Sequence, residues 1–123
     1  MATLRYLVLG CDDLERAVRF WSQLLDYRPR DHHRTDRWCT LDPCSGDGAS
    51  LALQLSTTPV QAHPRVHLDV GVQDPDEQQS MIDRVCELGG SRVEWDQYPD
   101  DPDFVVVADT EGNRFCLIDL SHT

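Results

Sequence analysis

The stretch Phe104–Leu120, FVVVADTEGNRFCLIDL, decides the reading of the fold. An apolar run from Phe104 to Ala108 meets Asp109, Thr110, Glu111, Gly112 and Asn113, and a second apolar run follows from Phe115 to Leu120. Two β-prone segments around a short Asp/Gly/Asn loop predict a β-hairpin. Upstream of it, Val66–Val72 reads as a strand. Asp74, Pro75 and Glu77 then supply an N-cap, a proline at the first helical position and the far end of a capping box. Met81, Ile82, Val85 and Leu88 form a helical stripe that Gly89-Gly90 terminates. A strand near Arg92–Trp95 and an acidic loop from Asp96 to Asp103 lead into the hairpin.

The first half is a looser copy of the same programme. Leu4–Leu9 is a short apolar strand. Asp12 and Glu15 have capping-box spacing, and Leu14, Ala17, Val18, Trp21, Leu24 and Leu25 make the helical stripe. Glu15 and Arg19 are spaced for an i,i+4 ion pair. Pro29 is expected to end the helix and residues 30–37 to form a polar connection. Trp38–Leu41 and Ser50–Leu55 read as strands. The expectation is one domain over residues 1–123: a βαβββ unit over 4–58, a linker over 57–65, and a second unit over 66–120. The fold class is α+β, with tandem units forming a cupped mixed sheet and the helices outside.

Composition narrows the function. The net charge is −11; residues 1–65 carry eight acidic and eight basic side chains, residues 66–123 fourteen and three. That balance argues against nucleic acid or an anionic membrane as partner, since both need a basic footprint. All eleven basic residues are arginine, so Schiff-base and lysine general-base chemistry are excluded. Five cysteines in no tight framework, and an N-terminus unlike a signal peptide, lead to the expectation of a cytoplasmic protein. No G-x-G-x-x-G, P-loop, H-E-x-x-H or G-x-S-x-G is present.

The segments DDLERAVRFWSQLLDY (12–27), VHLDVGVQD (66–74) and DTEGNRFCLID (109–119) resemble the glyoxalase/bleomycin-resistance/dioxygenase superfamily, also called the vicinal oxygen chelate family. The last resembles that family's recurring D-P-E/D-G-N ending, with Thr110 in the usual proline position. The resemblance implies a small-molecule ligand held inside the cup, and a homodimer. Metal-dependent members use four inward positions, one per strand, which fall here on Tyr6, Gln54, His67 and Cys116. Tyr6 and Cys116 depart from the usual His and carboxylate, so no metal cofactor is favoured; a divalent ion, if bound, would use His67, Gln54 and Cys116, and the thiolate would suit a soft ion such as Zn²⁺.

Strand alternation assigns faces independently of the resemblance. It places Tyr6, Val8, Gln54, His67, Asp69, Arg114 and Cys116 in the candidate pocket, to which Trp38 is added as an aromatic wall at the mouth. Trp95 is a candidate for its mouth, and Tyr98 with Asp100–Asp103 a candidate gate or a plain solvated connector. His67 and Cys116 could alternatively form a nucleophile pair. Cys39 with Cys44, and His32 with His33, read as packing and as solvated loop. The functional expectation is a binder of a small organic molecule; the alternative is a metal-dependent lyase, isomerase or dioxygenase.

Overall fold

The computed structural model describes residues 1–123. Its elements run β1 (Tyr6–Cys11), α1 (Leu14–Leu25), β2 (Tyr27–Arg34), β3 (Trp38–Pro43), β4 (Ser50–Leu55), β5 (Asp69–Val72), α2 (Pro75–Glu87), β6 (Ser91–Arg92), β7 (Phe104–Ala108) and β8 (Arg114–Asp119). The chain divides into two compact units, 1–59 and 60–123. Each unit is a βαβββ repeat whose sheet is ordered β1-β4-β3-β2 or β5-β8-β7-β6. In both, the first strand pairs parallel to the last, and the other pairings are antiparallel. Two mixed sheets with one helix apiece make the fold α+β.

The first unit buries its apolar set between sheet and helix. Leu14, Ala17, Val18, Trp21 and Leu24 of α1 are buried, as are Cys39, Leu41, Leu51 and Leu53 of β3 and β4. The α1 N-cap is Asp13, whose side chain accepts from the Arg16 N–H, one residue after the expected Asp12. The shift places Glu15 in the first turn, where it pairs with Arg34 of β2 rather than with Arg19. Pro29 does not end the helix: α1 stops at Leu25, and Asp26 takes a left-handed conformation (φ 54°) whose N–H returns to the Ser22 carbonyl. Residues 30–37 are likewise no simple connection, because β2 extends to Arg34 along the sheet edge. Its polar composition hides it: an edge strand with one wet face needs little apolar content.

In the second unit Ile82 and Val85 of α2 pack beneath Val107, Phe115 and Leu117, all buried. Asp74 caps the helix through the Glu77 N–H at 2.8 Å, and Glu77 reaches back to accept the Gln73 N–H at 2.7 Å. Helix α2 ends at Glu87; Gly89 follows its cap with a φ of 98°, which requires a residue without Cβ strain, and the Gly90 N–H closes on the Val85 carbonyl at 2.8 Å. The strand expected at Val66 begins at Asp69, although the Leu68 carbonyl still accepts from the Cys116 N–H at 3.0 Å. β6 holds only Ser91 and Arg92. No helix is long and apolar enough to cross a membrane.

The hairpin turn is organised by Asp109, which is buried. Its Oδ1 accepts the N–H groups of Glu111 and Asn113, each at 2.9 Å, while Gly112 supplies the positive φ (88°) that closes the turn. That turn sets the β7–β8 register, placing Val106 opposite Cys116 and Phe104 opposite Ile118.

Candidate functional site

Across the second sheet, one row of side chains comes from three strands. Asp69 of β5 lies opposite Cys116 of β8, and Cys116 lies opposite Val106 of β7. Alternation puts all three on the face away from α2. His67, two residues before Asp69, joins them, with its Nδ1 3.1 Å from Asp69 Oδ1. An ionised carboxylate only accepts, so a proton shared between the two sits on Nδ1, in the neutral ring and in the imidazolium alike. Cys116 is 8% exposed and its thiol also hydrogen-bonds Asp69. Burial first, then the negative charges of Asp69 and Asp103, push that thiol up to about 11. It is therefore a neutral donor near pH 7, and the His67–Cys116 nucleophile pair lacks its thiolate.

This row opens into a cavity of about 320 Å³. Trp95 and Phe104 give it aromatic surface, Val106 and Ile118 line it with aliphatic atoms, and Asp103 and Gln97 add acceptors. Tyr98 is an anchor of this loop: its hydroxyl accepts the Val106 N–H at 2.9 Å and its ring lies 5.2 Å from that of Phe104. That N–H needs such a partner because two-residue β6 stops short of Val106. Arg114 also lines the cavity, but its Nη1 is spent on backbone, donating to the Ala62 carbonyl at 2.9 Å and to that of Glu94 at 3.4 Å. His63 stacks on Trp95 with ring centroids 4.9 Å apart and bonds Asp96 Oδ1 at 2.8 Å, which holds the Asp96 carboxyl below its usual range.

The sequence-derived candidates thus divide by unit. His67, Asp69, Arg114 and Cys116 come together in the second unit. Tyr6, Val8, Trp38 and Gln54 belong to the first, where the registers place them on the face away from α1. Here Thr40 is fully buried and takes the Trp38 Nε1–H at 2.9 Å, with His33 Nδ1 2.6 Å from the same hydroxyl. Arg30 grips Asp42 through two hydrogen bonds of 2.8 Å, and Ser50 donates to Asp42 at 2.6 Å. Those bonds, Arg30's first, hold Asp42 down to about 2. A shallower cavity of about 360 Å³ lies beside Tyr6, His32, His33 and Trp38. Sequence reasoning misses Arg30 and His33 because the polar β2 reads as a connection, Asp42 because β3 runs past the expected Leu41, and Thr40 although alternation from Trp38 already puts it on that face. It misses Phe104, Val106 and Asp103 with less excuse: the hairpin register already implies that Phe104 and Val106 share the face of Cys116.

Three donor side chains, His67, Asp69 and Cys116, have ligand atoms within 4.8 Å of one another and could hold a metal ion. Imidazole, carboxylate and thiolate together fit a Zn²⁺-class ion; the sulfur is a poor match to hard Mn²⁺ or Mg²⁺.

Comparison with known proteins agrees with this architecture. A glyoxalase/bleomycin resistance protein/dioxygenase family enzyme from Burkholderia phytofirmans superposes with a TM-score of 0.75 at 13% identity, over 97% of this chain and 99% of that one. A glyoxalase-related enzyme from Fulvimarina pelagi gives 0.73 at 19% identity, over 97% and 88%. A fosfomycin resistance protein from Listeria monocytogenes, complexed with Mn(II) and a dihydroxypropylphosphonic acid, gives 0.72 at 13% identity, over 96% and 90%. At these identities the likeness is one of fold. No curated protein matches the sequence. The Glyoxalase-like domain model matches residues 6–118, nearly the whole chain, and the protein therefore belongs to the glyoxalase-like domain family.

Proposed function

We propose that the protein binds a small organic molecule in the cavity of the second unit. The observation that carries this reading is the cavity itself, of about 320 Å³, with aromatic walls from Trp95 and Phe104 and a polar end from His67 and Asp69. That combination of apolar wall and a few convergent polar groups is typical of small-molecule sites. The His67 imidazole lies 3.1 Å from Asp69 and offers Nε2 to a hydrogen-bonding group on the ligand. Fragment screening by NMR tests the reading: hits should move the Trp95 indole and His67 ring signals together. His67→Ala should weaken such hits about tenfold, the loss of one good hydrogen bond, while costing under about 1 kcal/mol of stability at a half-exposed position. Hits that map elsewhere, or a variant that unfolds while binding as before, would overturn it.

The donor cluster of His67, Asp69 and Cys116 favours a second reading, a metal-dependent lyase, isomerase or dioxygenase. A bound Zn²⁺-class ion would supply Lewis-acid polarisation of a substrate oxygen. The chain's own part is to hold Asp69 on β5, Cys116 on the neighbouring β8 and His67 just before β5. Metal content of untagged protein, and melting curves with EDTA, Zn²⁺ and Mn²⁺, separate the two readings. Stoichiometric zinc lost on Cys116→Ser supports the enzyme; melting unchanged by any of the three additions removes it.

A further inference from the structure

We propose that this cavity selects organic cations: a protonated amine, amidine or guanidine carried on a small planar body. The inference rests on the small-molecule reading above and names its ligand class. Two carboxylates, Asp69 and Asp103, line the cavity, and the negative charge of each reaches the Cys116 sulfur. An ionised carboxylate has about four lone-pair sites, so Asp69 keeps capacity beyond its bonds to His67 and Cys116. Gln97 lines the same space. The polar end is thus dominated by acceptors. Arg114, the one arginine lining the cavity, has Nη1 committed to two backbone carbonyls.

The remaining surface suits the same ligand. The indole of Trp95 and the ring of Phe104 present π-faces, which attract a cation and pack a flat ring. The surrounding field has the matching sign: residues 60–123 carry fourteen acidic side chains against four arginines, a net of −10, whereas residues 1–59 carry eight against seven, a net of −1. A concave site in a unit so charged concentrates cations and repels anions before contact is made.

Benzamidine, benzamide and benzoate share a ring and a planar head group but differ in charge, and so test the proposal directly. Each is titrated into the full-length protein in EDTA-containing buffer, so that no metal ion mediates binding, and the Trp95 indole N–H signal is followed. Benzamidinium should bind at least roughly tenfold tighter than benzamide, and benzoate weakest of the three. Raising the salt should weaken benzamidinium and leave benzamide unmoved. Asp69→Asn and Asp103→Asn, both at exposed positions, should each shrink the ratio of benzamidinium to benzamide affinity several-fold. Equal binding of the neutral or anionic probe at Trp95 overturns the cation proposal and leaves the small-molecule reading standing. If none of the three moves Trp95 or His67, both fall.

Discussion

The two units share one topology and differ in what they do with the open face of the sheet. In the first, the polar groups on that face satisfy one another: Arg30 with Asp42 and Ser50, and Trp38 and His33 with Thr40. The rings of Tyr6 and Trp38 meet on the same face, with centroids 6.0 Å apart, and Arg30 lies over the Tyr6 ring. In the second, a His–Asp–Cys row looks into a cavity with its remaining acceptors unspent. The same fold therefore yields one face stitched by internal bonds and one left with hydrogen-bonding capacity. Capacity of that kind is what recognition requires.

The cores differ in the same direction. Helix α1 buries Leu14, Ala17, Val18, Phe20, Trp21 and Leu24, while α2 buries only Ile82 and Val85. Trp21→Ala should therefore cost most, about 3–5 kcal/mol, by removing a fully buried indole. Val85→Ala, equally buried but much smaller, should cost about 2 kcal/mol. Urea unfolding of the two variants checks the order. Equal losses would mean that the units are not unequally packed, and the first half of the comparison would go.

Much of the fold is legible in the sequence because local signals agree. Asp74, Pro75 and Glu77 mark a helix start, Gly89 its end, and the DTEGN turn fixes a hairpin register; each acts through backbone geometry within a few residues. β2 is not legible. YRPRDHHR has neither apolar alternation nor turn chemistry, and it becomes a strand because β3 offers it a ladder. The α1 cap is legible only to within one residue, because two adjacent aspartates satisfy the same rule and only the Arg16 N–H chooses between them. In the site, period-two alternation finds His67, Asp69 and Cys116 together. It cannot find Asp103 or Gln97, whose approach depends on how residues 93–103 fold back over β7, nor that Arg114 spends its Nη1 on two carbonyls.

The stitched face gives a pH signature of its own. Asp42 is held down to about 2 from an ordinary 3.8, chiefly by the Arg30 hydrogen bonds and then by Ser50. A depressed carboxyl contributes stability above its ordinary value and loses it as pH falls through the folded one. Asp42→Asn should then cost about 1 kcal/mol near pH 7, a figure reduced because both side chains are about a third exposed. Parent and variant should converge as acid is taken from pH 4 towards pH 2. A difference that persists at the acid end would show that the substituted amide fails sterically rather than through lost charge.

The smallest effect on stability, and the sharpest probe of the open face, belongs to the thiol. Cys116 is pushed up to about 11 from 9.0, by burial first and then by Asp69 and Asp103. Because the folded value is raised, its contribution is complete below the ordinary value and is lost as pH rises through about 11. Asp69→Asn should consequently change stability near pH 7 by less than about 0.5 kcal/mol. It should nevertheless move the pH profile of Cys116 alkylation downward, read by iodoacetamide labelling after Cys44→Ser and Cys86→Ser remove the exposed thiols. An unmoved profile would mean that burial alone governs the sulfur. Asp69 would then be bound up with His67 much as Asp42 is with Arg30, and the two faces would differ less in chemistry than in shape.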